Sequence, residues 1–385
     1  MPYWYWRPLK LAWALDENTD NTLDLPERGY LSALAVHSYA TNATGLAEYD
    51  NKYPIQRHTK IRIVGNGNFE IINLRAKHLQ AINCWDWGIN PVGQYSDVNG
   101  LIQRNMFYIP FGRYLKDPDY GLILENFAAG AQLVETNNYS TTYHSDGNSK
   151  LDVYGLFYKE PQGGMFGKGF LKKRQVYDRD TASATQFGVK LPTDKPLRQI
   201  HLFSEPDLSS RVDATSPVTN VQYIWLGVKS KEEYLLENVR SLYYSNWIHD
   251  IMGRQFETLV NTSVGTTTAG LGYSDTMLYR SFNRVCSSIV DTLGDHNSYT
   301  KFDDRRICQV WFNAGASADT VGTAGVYSKG VMLHGDIPLL MVDPFSDQSE
   351  WLDAKALADI YVEVTEGAST GNWYVVLDEL EDSYG

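Results

Sequence analysis

Apolar and polar residues alternate in short runs along most of the chain, and turn-forming residues separate the runs. Leu31–Tyr39, Lys60–Val64, Phe69–Leu74, Met106–Ile109 and Leu151–Tyr158 have this form in the first half. Gln199–Phe203, Gln222–Val228, Ala358–Val364 and Trp373–Leu377 have it in the second. A period of two turns one face of a strand to a core and the other to solvent, so the pattern predicts the strands of a sandwich. Gly65-Asn66-Gly67-Asn68 and Asp146-Gly147 supply residues that enter positive φ readily, as tight turns require. One segment departs from the pattern. Ser230 and Glu233 have capping-box spacing, and Leu235, Val239, Leu242 and Asn246 follow at helical intervals, which predicts a helix beginning near residue 230.

The pattern also repeats over a long distance. Leu23-Asp24-Leu25-Pro26 followed by Leu31, Leu34, Val36 and Ser38 matches Val189-Lys190-Leu191-Pro192 followed by Leu197, Ile200, Leu202 and Ser204, each pair 166 positions apart. Leu74, Leu79, Ile82 and Trp87 match Tyr234, Val239, Leu242 and Trp247 at an offset of 160, and Asp152-Val153-Tyr154 matches Asp359-Ile360-Tyr361 at 207. Offsets that change only between anchors are expected of two copies of one fold, since loops accept insertions that strand faces do not. Trp87 and Asp152 are 65 positions apart and Trp247 and Asp359 are 112 apart, so the second copy carries 47 more residues there. The insertion is expected around residues 251–335 as an elaborated loop, with Thr262 to Gly272 its most exposed stretch. The resulting division is an arm over 1–20, a first sandwich over 21–166, a Gly- and Lys-rich linker over 167–180 and a second sandwich over 181–385.

Composition narrows the function classes. With 385 residues, 43% hydrophobic and 21% charged, the chain has enough apolar material for one large or two medium cores, which excludes disorder. The 26 Tyr, 10 Trp and 14 Phe favour half-buried sheet positions and interfaces. A net charge of -12 argues against chain-wide attraction to nucleic acid, so no direct nucleic-acid partner is expected. Cys84, Cys286 and Cys308 are too few and too scattered for a disulfide framework or a cysteine-built zinc site. No apolar run reaches a membrane span, and the opening MPYWYWRPLK lacks the order of a secretory signal, so export by the usual route is not expected.

The motifs that could carry chemistry dissolve on inspection. GGMFGKG has Gln162 where a phosphate-binding loop needs its first Gly and Gly169 where it needs Ser or Thr. Gly367-Ala368-Ser369-Thr370-Gly371 matches the nucleophile elbow, but no histidine follows it, as that catalytic order demands, and a hairpin loop of small residues explains it. The eight histidines show no metal-binding spacing. Carboxylate runs such as Glu232-Glu233, Asp303-Asp304 and the tail Asp378, Glu379, Glu381 and Asp382 read as solvated faces. No catalytic residue, cofactor-binding residue or metal ligand is assigned, and no enzyme is expected.

The arm does carry a candidate contact. Trp4, Tyr5, Trp6, Arg7 and Lys10 mix rings with cations and no acid, which suits either the headgroup level of a bilayer or packing on a neighbouring subunit. Pro2 and Pro8 discourage a helix, so an extended or hooked segment outside the first sandwich is expected.

Taken together, LDLPERGYLSALAVHSYA, IRIVGNGNFEIINLRAKHLQA, FYIPFGRYLKDPDYGLILENF, the second KLPTDKPLRQIHLFSEP and the final NWYVVLDEL resemble the double jelly-roll major capsid proteins of tailless icosahedral viruses, most of which enclose a membrane. The resemblance covers essentially residues 20 to 385 and rests on the duplication, not on one diagnostic motif. It implies an all-β chain of two tandem eight-stranded antiparallel jelly-roll sandwiches with short helices. It further implies a homotrimeric, pseudo-hexagonal capsomer in contact with other capsomers, penton and minor capsid proteins, and an internal membrane where one is present. Such a chain would reside in the virion shell, and in host cytoplasm before assembly. The alternatives are a carbohydrate-binding or carbohydrate-processing β-sandwich and a minor vertex or spike protein.

Overall fold

A computed structural model of the chain describes residues 3–41, 43, 54–89, 93–94, 100, 102–139, 144, 148–159, 167–181, 185–206, 220–252, 256–264, 299–303, 306–313, 322–330, 332–340, 342–343, 346–367 and 370–382. The first half contains β1 (Tyr3–Ala14), β2 (Asp20–Asp24), β3 (Tyr30–Thr41), β4 (His58–Gly65), β5 (Phe69–Leu74), β6 (Gly93–Gln94), β7 (Ile102–Pro110), β8 (Leu122–Ile123), β9 (Ala131–Asn137) and β10 (Lys150–Lys159). The one-turn helix α1 (Pro54–Arg57) precedes β4, and α2 (Ala76–Trp87) follows β5. One sheet runs β1-β10-β3-β7, with β6 beside β7 and β8 beside β3; the facing sheet contains β2-β9-β4-β5. This strand order is that of an eight-stranded jelly roll.

The second half repeats it. Strands β11 (Gly169–Asp180), β12 (Gln186–Leu191), β13 (Leu197–Pro206), β14 (Val221–Val228) and β15 (Glu233–Arg240) lead to helix α3 (Ser241–Met252). After an insertion come β20 (Asp336–Leu340), β21 (Ile360–Glu366) and β22 (Gly371–Asp382). The order β11-β22-β13-β20 faces β12-β21-β14-β15, element for element the arrangement of the first roll. Within the insertion, β16 (Phe256–Val264), β17 (Tyr299–Asp303), β18 (Arg306–Asn313) and β19 (Gly322–Gly330) form a separate antiparallel sheet in the order β16-β19-β18-β17. The added material is therefore a sheet of its own. Thr262–Val264 closes β16, and the remainder of the Thr262 to Gly272 stretch lies outside the described residues, as does Asp146-Gly147.

The anchors at offset 166 sit where a duplicated fold places them. Leu25, Leu31, Leu34 and Val36 are buried in the first core, and Leu191, Leu197, Ile200 and Leu202 in the second. The Gly65–Asn68 turn joins β4 to β5 with Asn66 at φ 51° and Gly67 at φ 82°. Gly65 is also sterically required, because a Cβ there would stand 2.2 Å from the Phe127 ring.

Several expectations are corrected. The arm is strand β1, paired antiparallel with β10 along its length, so it belongs to the first sandwich. The linker is strand β11: its cations are held in place, Lys173 Nζ donating to Asp378 at 2.8 Å and Arg174 gripping Glu379 at 2.8 and 3.0 Å. Asp378 and Glu379 are accordingly buried and not part of a solvated tail. The helix predicted from residue 230 begins only at Ser241. Glu233–Arg240 is drawn into β15 by pairing with β14, tertiary pairing overriding local spacing, and the Ser230 hydroxyl donates to Asp359 instead of capping a helix. The anchors at 160 and 207 fall away with it. Asp152 lies in β10 and Ile360 in β21, which are different strands of the roll, and α2 and α3 correspond at an offset of 165.

The sheets of the two rolls join edge to edge in parallel: Lys173 of β11 stands opposite Ile72 of β5, and Arg174 opposite Asn73. This makes one eight-stranded sheet, β2-β9-β4-β5-β11-β22-β13-β20, continuous across both halves.

Candidate assembly surfaces

The interface between the rolls shows what this fold does where it is covered. Helix α2 is buried from Ala76 to Asp86, ends at Gly88 in the left-handed region, and lies on the outer face of the second roll's first sheet. Its polar side chains find partners there. Arg198 of β13 donates to Asp86 at 2.9 and 3.3 Å and to Asp378 at 2.7 Å, and Gln199 donates to Asp86 at 2.6 Å. At the other end Glu205 accepts from Lys77 at 2.5 Å, from His78 Nε2 at 2.7 Å and from Arg75 at 3.2 Å. Gln80 accepts from His334 Nε2 at 2.7 Å.

Burial and charge set the protonation of this cluster. Desolvation pushes His78 down to about 4 and His334 down to about 3, so both imidazoles are neutral at pH 7. Burial alone would raise Glu205, but Lys77, His78 and Arg75 around it hold the carboxyl well below the usual carboxylate range. Asp86 is held low in the same way, burial being outweighed by Arg198 and Lys173. These are paired charges, all but Arg75 buried, that tie one roll to the other. Among the described residues no cluster of His, Cys, Asp or Glu could hold a metal ion, and no helix is long and apolar enough to cross a membrane. Gly367 follows β21 and Gly371 opens β22, while Ala368 and Ser369 lie outside the described residues.

The candidate contact residues all lie on β1, and the strand divides them. Tyr5 packs inward with Leu9 and Trp13, its ring stacked on Phe157 at 5.9 Å. Trp4 lies against Tyr158 at 4.8 Å and Tyr30 at 6.0 Å. Trp6, Arg7 and Lys10 are exposed, as are Tyr3 and Leu11. β1 is an edge strand, and its sequence suits one: Pro8 removes a donor, and register shifts follow Pro8 and Lys10. Ala12, at φ 48°, turns its N–H to Asp152 Oδ1 at 2.7 Å.

A second surface escaped the sequence reading. Tyr243, Trp247 and Ile251 recur every four residues on α3 and are 57%, 62% and 75% exposed, a stripe along one helix face. Tyr234 and Leu235 on the edge strand β15 add to it. The spacing of the three was visible in the sequence, but starting the helix eleven residues early assigned the period to the wrong positions. The buried ionic cluster was missed because runs of charge carry no sign of what will cover them.

Against solved structures, the chain matches over 99% of its length the structure described as the atomic structure of Sulfolobus Turreted Icosahedral Virus, at TM-score 0.55 and 8% identity, covering 91% of that chain. The STIV major capsid protein crystal structure matches at TM-score 0.55 and 9% identity, covering 98% of that chain. The fold is a double jelly roll. The Faustovirus major capsid protein matches at TM-score 0.50 and 8% identity, over 99% of this chain and 90% of that one. No family model matches the sequence, and no curated protein matches it. With identities this low the likeness establishes the double jelly-roll fold, and the composition of the two rolls is this chain's own.

Proposed function

We propose that the chain is a structural capsid protein, the homotrimeric building block of an icosahedral virus shell. The observation that carries this reading is the tandem duplication itself. Two complete jelly rolls stand side by side with no further fold among the described residues except the sheet inserted in the second, and the chain matches the STIV major capsid protein over 99% of its length. Each roll is a wall element, and three copies supply six of them for a hexagonal tile. The exposed aromatic and aliphatic side chains of β1, β15 and α3 are the kind of surface that lateral contact between subunits uses. The chain's place is then the virion shell, with a soluble pool in host cytoplasm before assembly. On this reading β1 makes a lattice contact, since it is bound into a sheet and not free to insert in a bilayer.

Light scattering on the purified chain, with negative-stain images, tests the proposal. Trimers with hexagonal outlines about 70 to 80 Å across are expected for six domains of this size. A chain that stays monomeric at every concentration, or that binds a glycan array as a monomer, would overturn it.

A further inference from the structure

The contact between the rolls is directional, and the duplication leaves both halves of it unused. The first roll offers the edge of β5 and helix α2; the second roll receives them with β11 and with the outer face of β22, β13 and β20. Each element has a counterpart in the other roll. On the second roll the counterparts of β5 and α2 are β15 and α3, and among the described residues β15 pairs only with β14. On the first roll the counterpart of β11 is β1, which among the described residues pairs only with β10, and the counterparts of β22, β13 and β20 are β10, β3 and β7.

We infer that a second copy of this chain completes the pattern. Its β1 adds in parallel to β15, and the outer face of its β10-β3-β7 sheet receives α3, so the contact within the chain is repeated head to tail between chains. The inference rests on the capsid reading only for the closure of that contact into a ring; a heterologous contact either closes or runs on as a filament.

The register follows from the pairing of equivalent strands in the two rolls. Lys173 stands opposite Asp378, which stands opposite Gln199; Trp6 stands opposite Leu156, which stands opposite Ala33. Gln199 and Ala33 are equivalent at offset 166, so Trp6 occupies the place of Lys173 and Arg7 that of Arg174. For β5 and β15 the offset is 165, as for α2 and α3, because Ile61 pairs with Leu74 and its counterpart Ile224 pairs with Val239, so Ile72 and Asn73 correspond to Glu237 and Asn238. Trp6 and Arg7 of one copy therefore lie beside Glu237 and Asn238 of the next.

Three observations favour this occupant. All nine exposed large apolar side chains among the described residues lie on four elements, β1, β7, β15 and α3, which are the ones this contact would cover. The charges are complementary: β1 carries Arg7 and Lys10 and no acid, while β15 carries Glu233 and Glu237 and one cation. The receiving face is also built for apolar contact. Ala35 of β3 is flanked there by Tyr154 and Tyr108, and Met106 lies one step along, all three flanking side chains half-buried.

Cross-linking tests the register and substitution tests the surfaces, both on the full chain. Arg7→Cys and Asn238→Cys are prepared separately, and a short bismaleimide is added to each alone and to an equimolar mixture. Covalent pairs joining one variant to the other are expected only in the mixture, and a chain with both substitutions should give species up to three copies and no longer ladder. Trp6→Glu and Trp247→Glu, at side chains exposed in the single chain, should each weaken association at least tenfold with an unchanged circular dichroism spectrum. If the native chain is a trimer, yet both substituted chains remain trimeric and the mixture forms no pair, the inference fails while the capsid reading stands. A native chain that never associates removes both.

Discussion

Helices α2 and α3 are the same element of a repeated fold, twelve residues each, following equivalent strands. They solve different problems. α2 turns Lys77, His78, Gln80 and Asp86 toward the neighbouring roll, where each meets a partner; α3 turns Tyr243, Trp247 and Ile251 outward, where all three stay exposed and Arg240 lies against the Tyr243 ring. A neighbour on the same chain arrives with folding, so it can be held by enclosed ion pairs whose geometry admits one register. A neighbour that must be found by diffusion is better served by a surface that tolerates water until contact, and aromatic and aliphatic side chains do so while the chain is alone. The backbone is thus one design, and the side chains record whether its partner is built in.

The strongest way to break the comparison is at the built-in contact. Arg198→Ala leaves Asp86 and Asp378 buried with one of their cations gone, and breaking an enclosed pair from one side costs about 3–5 kcal/mol. Chemical denaturation at neutral pH should register a loss of that size. A loss below about 1 kcal/mol would mean that the two rolls do not depend on the cluster. Next come the paired core positions. Leu34→Ala and Ile200→Ala remove equivalent, fully buried side chains from the two sandwiches, and each should cost about 2–5 kcal/mol. Similar values sharpen the equivalence of the rolls; a large cost at one and none at the other would show that only one roll is a cooperative core.

How much of this could be read from the sequence depends on how local the signal was. Leu25-Pro26 and Leu191-Pro192 stand at the ends of β2 and β12, ahead of the alternating runs of β3 and β13 that encode their own burial, so both rolls could be located from them. β1 was misplaced because Pro8, Arg7 and Lys10 have the composition of a free arm, and an edge strand looks the same until its partner is known. Lys172-Lys173-Arg174 read as a linker for a similar reason: their neutralising carboxylates lie some 200 positions away, at Asp378 and Glu379. The inserted sheet was expected as a loop, since a difference in anchor spacing gives the amount of added chain but not its pairing. Of the candidate surface, the half on β1 was named by residue and the half on α3 was not.

Acid should sharpen the comparison further, because the titrating groups are concentrated at the α2 interface. His78 at about 4 and His334 at about 3 are both depressed from an unfolded value near 6.5. Between those limits the unfolded chain binds protons that the native chain does not, so stability is complete above pH 6.5 and declines as pH falls toward 4. The slope is about 1.4 kcal/mol per pH unit for each imidazole while it stays neutral in the fold. Glu205 and Asp86, held low in the native state, act in the same direction at still lower pH, where they lose their charge in the unfolded chain first. A melting temperature that is flat between pH 6.5 and 4.5 would contradict this account of the cluster.

The smallest expected effect is the most discriminating for α3. Tyr243→Ala and Trp247→Ala remove large side chains, but in a chain kept monomeric by dilution these rings lie mostly in water, and exposed substitutions of this kind change stability by about 0.5 kcal/mol or less. Leu79→Ala, on the buried helix α2, is the internal control, with an expected loss of about 2–5 kcal/mol. The test compares all three variants by denaturation under identical dilute conditions. If Trp247→Ala costs as much as Leu79→Ala, the stripe on α3 is already packed within its own chain, and the two helices do not differ in the way proposed. If it costs almost nothing when dilute and destabilises the protein at concentrations where the native chain associates, the side chain's role lies between copies and not within one.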